Sequence, residues 1–150
     1  MKLYTRLDRG REIAKALWPD LELGVEGDFR DKYGQDARMA DGRTIQIKFD
    51  HRIALSGNLW HEVYEKSALN DAQPWRKSPG VADAYIFCTE TLYRIVGYFV
   101  PVDTLAKAEM GMNLKCIRPN NGLPTSMGFL IPIASLPVGS YEARYRANNE

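Results

Sequence analysis

The stretch from Asp36 to Lys48, read from Gln35 as QDARMADGRTIQIK, constrains the fold of this chain more than any other. Apolar and polar residues alternate on both sides of a turn. Ala37 and Met39, then Ile45, Ile47 and Phe49, form one set. Asp36 and Arg38, then Thr44, Gln46 and Lys48, form the other. Alternation at period two puts the first set on a sheet face packed against a core. Packing gives no reason for a carboxylate, an amide and an ammonium on the opposite face.

The register of this hairpin follows from the same pattern. A two-residue Asp41-Gly42 turn would pair Asp36 with Ile47 and separate the carboxylate from Gln46 and Lys48. A three-residue loop, Ala40-Asp41-Gly42, with Gly42 in the left-handed conformation, pairs Asp36 with Gln46 instead. It also brings Ala37 and Met39 onto the side of Ile45 and Ile47. A one-residue slip turns every side chain over, so the hydrophobic pattern selects the three-residue loop.

The rest of the chain supplies a mixed set of elements. Asp8 is a candidate N-cap for a helix carrying Ile13, Ala16 and Leu17 and stopped by Pro19. Glu12 on that helix serves either as a favourable charge near its start or as an extra carboxylate beside a metal. Leu21, Leu23 and Val25 alternate in an extended lead-in. Leu59 to Tyr64 alternates as a third strand, with His61 on one side and Trp60, Glu62 and Tyr64 on the other. Residues 67–80 read as loop, with Trp75, Arg76 and Lys77 clustered in it. Val81–Phe87 and Leu92–Val100 are regular and apolar, and Asp103 caps a helix in TLAKAEMGM. Pro119–Gly122 is a turn, and Ser126–Leu136 a closing strand whose Pro132 argues for an edge or a strand end. The tail from about residue 139 is polar and expected to be loosely held. The expectation is one α/β (mixed α+β) domain over residues 1–150, built around one sheet.

Composition narrows the partners. The 150 residues include 20 Lys and Arg against 19 Asp and Glu, for a net charge of +1, so any nucleic-acid surface must be a local patch. No run reaches the length of a membrane span, and the N-terminal residues lack the apolar core of a signal peptide. The expectation is a cytoplasmic protein with no membrane partner. Cys88 and Cys116 lie in apolar surroundings and read as buried free thiols.

Asp36 followed by Gln46-Ile47-Lys48 across a hairpin resembles the PD-(D/E)xK nuclease motif, with glutamine where Asp or Glu is usual. The run IQIKFDHRIALSGNLWHEVYE looks like phage and prophage-type deoxyribonucleases of that superfamily, through Lys48, Asp50, Ser56-Gly57-Asn58 and Glu62. Pro79-Gly80, Ala82-Asp83 and GFLIPIASL extend the likeness to roughly residues 30–137. The resemblance implies a restriction-endonuclease-like core, a central mixed sheet flanked by helices. It implies hydrolysis of DNA phosphodiesters with Mg²⁺, for which Mn²⁺ would substitute, in a bacterial or phage-infected host cell. Asp36 would be the principal metal ligand, Ile47 would contribute its backbone carbonyl, and Lys48 would orient the attacking water and offset transition-state charge.

Gln46 departs from that pattern, because an amide offers one carbonyl oxygen and no charge. Either it is a neutral ligand, with Glu12 or Glu62 supplying the missing charge, or the domain binds nucleic acid without cutting it. Asp50, two residues beyond Lys48, is a weaker supplement. Candidate nucleic-acid contacts are Arg38, His51, Arg52, Trp75, Arg76 and Lys77. Cutting both strands of a duplex would suit a homodimer, and nicking a monomer.

Overall fold

The computed structural model describes residues 5–24, 36–65, 76–77, 82–117 and 126–148. Helix α1 (Arg6–Leu17) starts where the chain supplies both halves of a capping box. Thr5 Oγ1 accepts from the Asp8 N–H, and the Asp8 carboxylate accepts from the Thr5 N–H at 2.7 Å. The N-cap is therefore Thr5, and Asp8 is the third helical residue rather than the cap. After α1 come β1 (Glu22–Leu23), β2 (Ala37–Arg38), β3 (Thr44–Phe49), α2 (Arg52–Ser56) and β4 (Asn58–Glu65). Then follow β5 (Arg76–Lys77), β6 (Ala84–Glu90), β7 (Arg94–Pro101) and α3 (Val102–Glu109). The last are β8 (Lys115–Ile117), β9 (Ser126–Pro132), a 3-10 turn (Ile133–Ser135) and β10 (Glu142–Ala147).

The strands form two sheets rather than the one expected. The central sheet is mixed, in the order β1-β2-β3-β6-β7-β10, with β3 parallel to β6 and the other pairs antiparallel. The second sheet, β5-β4-β9-β8, is antiparallel. The hairpin has the expected register: Ala37 opposes Ile45 and Arg38 opposes Thr44. Met39 donates to the Arg43 carbonyl at 2.8 Å, and Gly42 donates to the Met39 carbonyl at 2.9 Å with φ +93°. That φ strains any residue with a Cβ. The loop is Ala40-Asp41-Gly42.

Two apolar clusters hold the layers. On one side of the central sheet, Ile13, Ala14, Leu17 and Trp18 of the α1 region pack on Ala37, Ile45, Ile47 and Ile86. A Cβ at Gly10 would lie 3.0 Å from Ile47 Cγ2 and 3.3 Å from Phe49 Cβ, so the glycine sets how closely α1 lies on the hairpin. On the other side, Tyr85, Phe87 and Val100 meet Ile53 of α2, Leu105 of α3 and Leu59 and Ile131 of the second sheet.

Further differences have local causes. Arg76–Lys77, expected as loop, pairs with Tyr64 and Glu65. Asp103 lies in the first turn of α3, whose N-cap is Pro101. Pro132 ends β9, as expected, but β9 lies between β4 and β8. The segment beyond Gly139 carries β10, paired along its length with β7. Its side chains are mostly exposed, so it reads as a polar tail. Cys88 is buried but Cys116 is exposed, since β8 forms the rim of the second sheet. Val25, Trp75, Pro79-Gly80 and the Pro119–Gly122 turn lie outside the described residues.

Candidate functional site

Asp36 enters the central sheet just before β2 and is 6% exposed. Its Oδ2 accepts the Ile47 N–H at 2.7 Å, where the β2–β3 ladder would otherwise continue. Strand geometry sends the N–H and C=O of one residue to the same side, so the Ile47 carbonyl leaves β3 toward Asp36. Arg11, which projects from α1, brings Nη2 to 3.9 Å from Asp36 Oδ1. Arg38, a candidate nucleic-acid contact from the sequence, is exposed and pairs with Glu22 at 3.8 Å. Nothing in the sequence pattern singles out Arg11.

Gln46 is buried, and its Oε1 has no hydrogen-bond partner among the described residues. A buried acceptor without a donor costs about 1–3 kcal/mol. Lys48 follows on the same face, half-buried, and its ammonium makes no ion pair among the described residues. The parallel register sets Gln46 beside Tyr85 and Lys48 beside Phe87.

Across the inter-layer space, His61 stands edge-on to Tyr85 with centroids 5.1 Å apart, and its Nδ1 bonds the Glu109 carboxylate of α3. Tyr85 is pushed up to about 12 by burial, then by the negative charges of Glu109, Glu62 and Asp36. Glu62 is near enough for its charge to act on Tyr85, and Ser126 Oγ donates to its Oε2 at 2.6 Å. Simple alternation put Glu62 on the side opposite His61. The register supports this, since His61 opposes Phe129 and Glu62 opposes Gly128, and a bulge follows only between Glu62 and Tyr64. Opposite the bulge lies Gly128, where a Cβ would collide with the His61 carbonyl. The His61–Glu109 contact spans 48 residues and has no sequence signature.

The other candidates are dispersed. Glu12 is exposed, with Oε2 3.0 Å from Arg9 Nη1. His51 stacks edge-on against Phe49 and lines, with Arg6, Arg9 and Glu90, an open cavity of about 520 Å³. Arg52 is tied to Asp50 through its backbone N–H, Nε and Nη2. Arg76 and Lys77 lie on β5 at the margin of the second sheet. Asp83 is structural: its Oδ2 accepts the Thr44 N–H at 2.9 Å and the Thr44 hydroxyl at 3.1 Å, which fixes where β6 starts against β3.

Among the described residues, no three His, Cys, Asp or Glu side chains converge as a metal cage. What the hairpin offers is one carboxylate, one amide oxygen without a donor among the described residues and one strand carbonyl. That all-oxygen set fits a hard divalent cation that keeps several waters. Comparison with protein-family models, curated proteins and solved structures finds no match to this chain. No helix among the described residues is long and apolar enough to cross a membrane.

Proposed function

We propose that this chain is a divalent-metal-dependent endodeoxyribonuclease of the PD-(D/E)xK type, with Asp36, Gln46 and Lys48 as its catalytic residues. The observation that carries the reading is the polar face of the hairpin. There a buried carboxylate pinned to the Ile47 N–H is followed in register by a buried amide oxygen and an ammonium that, among the described residues, have no donor and no counter-ion. A stable core has no use for the last two. Asp36, Gln46 Oε1 and the Ile47 carbonyl would hold Mg²⁺ or Mn²⁺, which supplies charge stabilisation at the phosphoryl oxygens and a more acidic bound water. Asp36 holds its oxygen in place through the Ile47 N–H, so no reorganisation is needed during the reaction. Lys48 orients the attacking water and offsets negative charge on the scissile phosphate. Glu62, held by Ser126 and close enough for its charge to act on Tyr85, would supply the missing negative charge. Glu12, exposed on α1, is the less suited supplement.

The test is cleavage of supercoiled and linear DNA in Mg²⁺ or Mn²⁺. Asp36→Ala and Lys48→Ala should each lower the rate at least about 100-fold, the scale on which single electrostatic catalytic groups act. Undiminished cleavage by folded Asp36→Ala protein contradicts the proposal. The neutral Gln46 and the lack of a carboxylate cage among the described residues favour a second reading, a DNA-binding relative that does not cut. It requires salt-sensitive DNA binding with no cleavage in either metal.

A further inference from the structure

We propose that a second cavity, where β3 hands over to α2, holds a single unpaired nucleobase; this deepens the nuclease reading and rests on it for the identity of DNA as the ligand. The cavity measures about 280 Å³ and lies between Asp50 and Arg52 on one side and Trp60 and Leu130 on the other. Ligand pockets run from roughly 300 to 1,000 Å³, so this one suits a single planar ring system and not a larger cofactor.

Its walls carry the chemistry that recognises a base. Trp60 and Leu130 oppose each other across the β4–β9 ladder, on the face turned away from the buried Leu59 and Ile131. They form an apolar platform of the kind on which bases stack. Asn58 presents a side-chain amide with no hydrogen-bond partner among the described residues. It is a donor and an acceptor at one point, as a base edge requires. Asp50 holds Arg52 by both oxygens, at 3.0 Å to Nε and 3.2 Å to Nη2, so the guanidinium is fixed at the rim where a phosphate would pass. Leu55, also at the rim, is 89% exposed. An apolar side chain so placed contributes nothing to the core and is suited to fill the gap that a displaced base leaves in its stack.

Position completes the argument. Asp50 lies two residues beyond Lys48, so a base in this cavity belongs to a nucleotide near the phosphate the hairpin would engage. The cost of unstacking is smallest for a base that is already unpaired. The substrate class is therefore DNA carrying a bulge, mismatch, flap or branch, with a fully paired duplex as the poorer ligand.

The experiment uses the full chain in EDTA, so that binding is read without cleavage. The probes are three oligonucleotides: a duplex with one bulged 2-aminopurine, the same duplex with 2-aminopurine paired, and a duplex with a bulged abasic site. The bulged base should bind at least tenfold tighter than the other two, with its fluorescence quenched by stacking. Trp60→Ala should abolish the quench and the preference, and Leu55→Ser should weaken the preference several-fold. Leu55→Ser alters a side chain that is almost wholly in solvent, so it decides the matter if Trp60→Ala fails to fold. Equal affinity for the three probes, no binding to any, or an unchanged preference in Leu55→Ser overturns the proposal. A kept preference with no cleavage in Mg²⁺ removes only the nuclease reading. Cleavage with no preference removes only this one.

Discussion

The two faces of β3 make opposite use of the same six-residue strand. Ile45 and Ile47 face α1 in a cluster closed tightly enough that Gly10 leaves no room for a methyl group without displacement. Gln46 and Lys48 lie on the other face, beside Tyr85 and Phe87, which pack toward the second sheet. On the first face the β3 side chains Ile45 and Ile47 are buried in apolar packing. On the second, a buried oxygen lacks a donor and an ammonium lacks a counter-ion among the described residues. Unsatisfied buried polar groups are rare in folded proteins, so the contrast separates what the strand does for stability from what it offers a ligand.

Substitutions on the two faces should move stability in different directions. Ile45→Ala should have the largest effect, a loss of about 2–4 kcal/mol in denaturant unfolding, since a fully buried side chain leaves a cavity behind. An effect below about 1 kcal/mol would mean the α1 face is loosely packed. Gln46→Met should act in the opposite sense. It removes the orphaned oxygen and should stabilise the fold by about 1 kcal/mol, while cleavage falls. Loss of stability in this variant would show that the amide is satisfied in solution and that the two faces do not differ as described.

A smaller effect reads the seal of the α1 face directly. Cys88 lies in that cluster, and burial pushes its thiol up to about 12. Only the thiolate reacts, so at pH 8 about one Cys88 in ten thousand would be reactive even if reagent could reach it. Disulfide-exchange labelling should modify Cys116 quickly and Cys88 only on unfolding. Raising the pH to 9 should leave Cys88 protected, because its folded pKa is still well above that. Two equally fast thiols would contradict a closed face.

The hairpin was legible in the sequence because its register is over-determined. Alternation on both arms and a glycine that can hold φ +93° admit one loop length. The pairing of Asp36 with Gln46 and Lys48 came with it. Elements set by distant partners were not legible. β10 is mostly exposed and takes its strand conformation from β7, so nothing in its own residues distinguishes it from a tail. The bulge after Glu62 lies opposite Gly128 of another strand, and nothing in the residues of β4 marks it. Arg11 reaches Asp36 from α1, and Glu109 reaches His61 from α3. Neither pairing follows any local periodicity. Thr5 and Asp8 show a milder limit, since each member of a capping box is an acceptable cap by composition.

The central claim is that Asp36 and Gln46 share one cation. Calorimetric titration of Mg²⁺ into the wild-type chain and Gln46→Glu tests it most directly, because the substitution adds a charged oxygen at one position with little change in shape. The account predicts binding at least tenfold tighter in Gln46→Glu, and none by calorimetry in Asp36→Ala. Affinity unchanged or weakened in folded Gln46→Glu protein would place residue 46 outside the metal's coordination sphere and contradict the account.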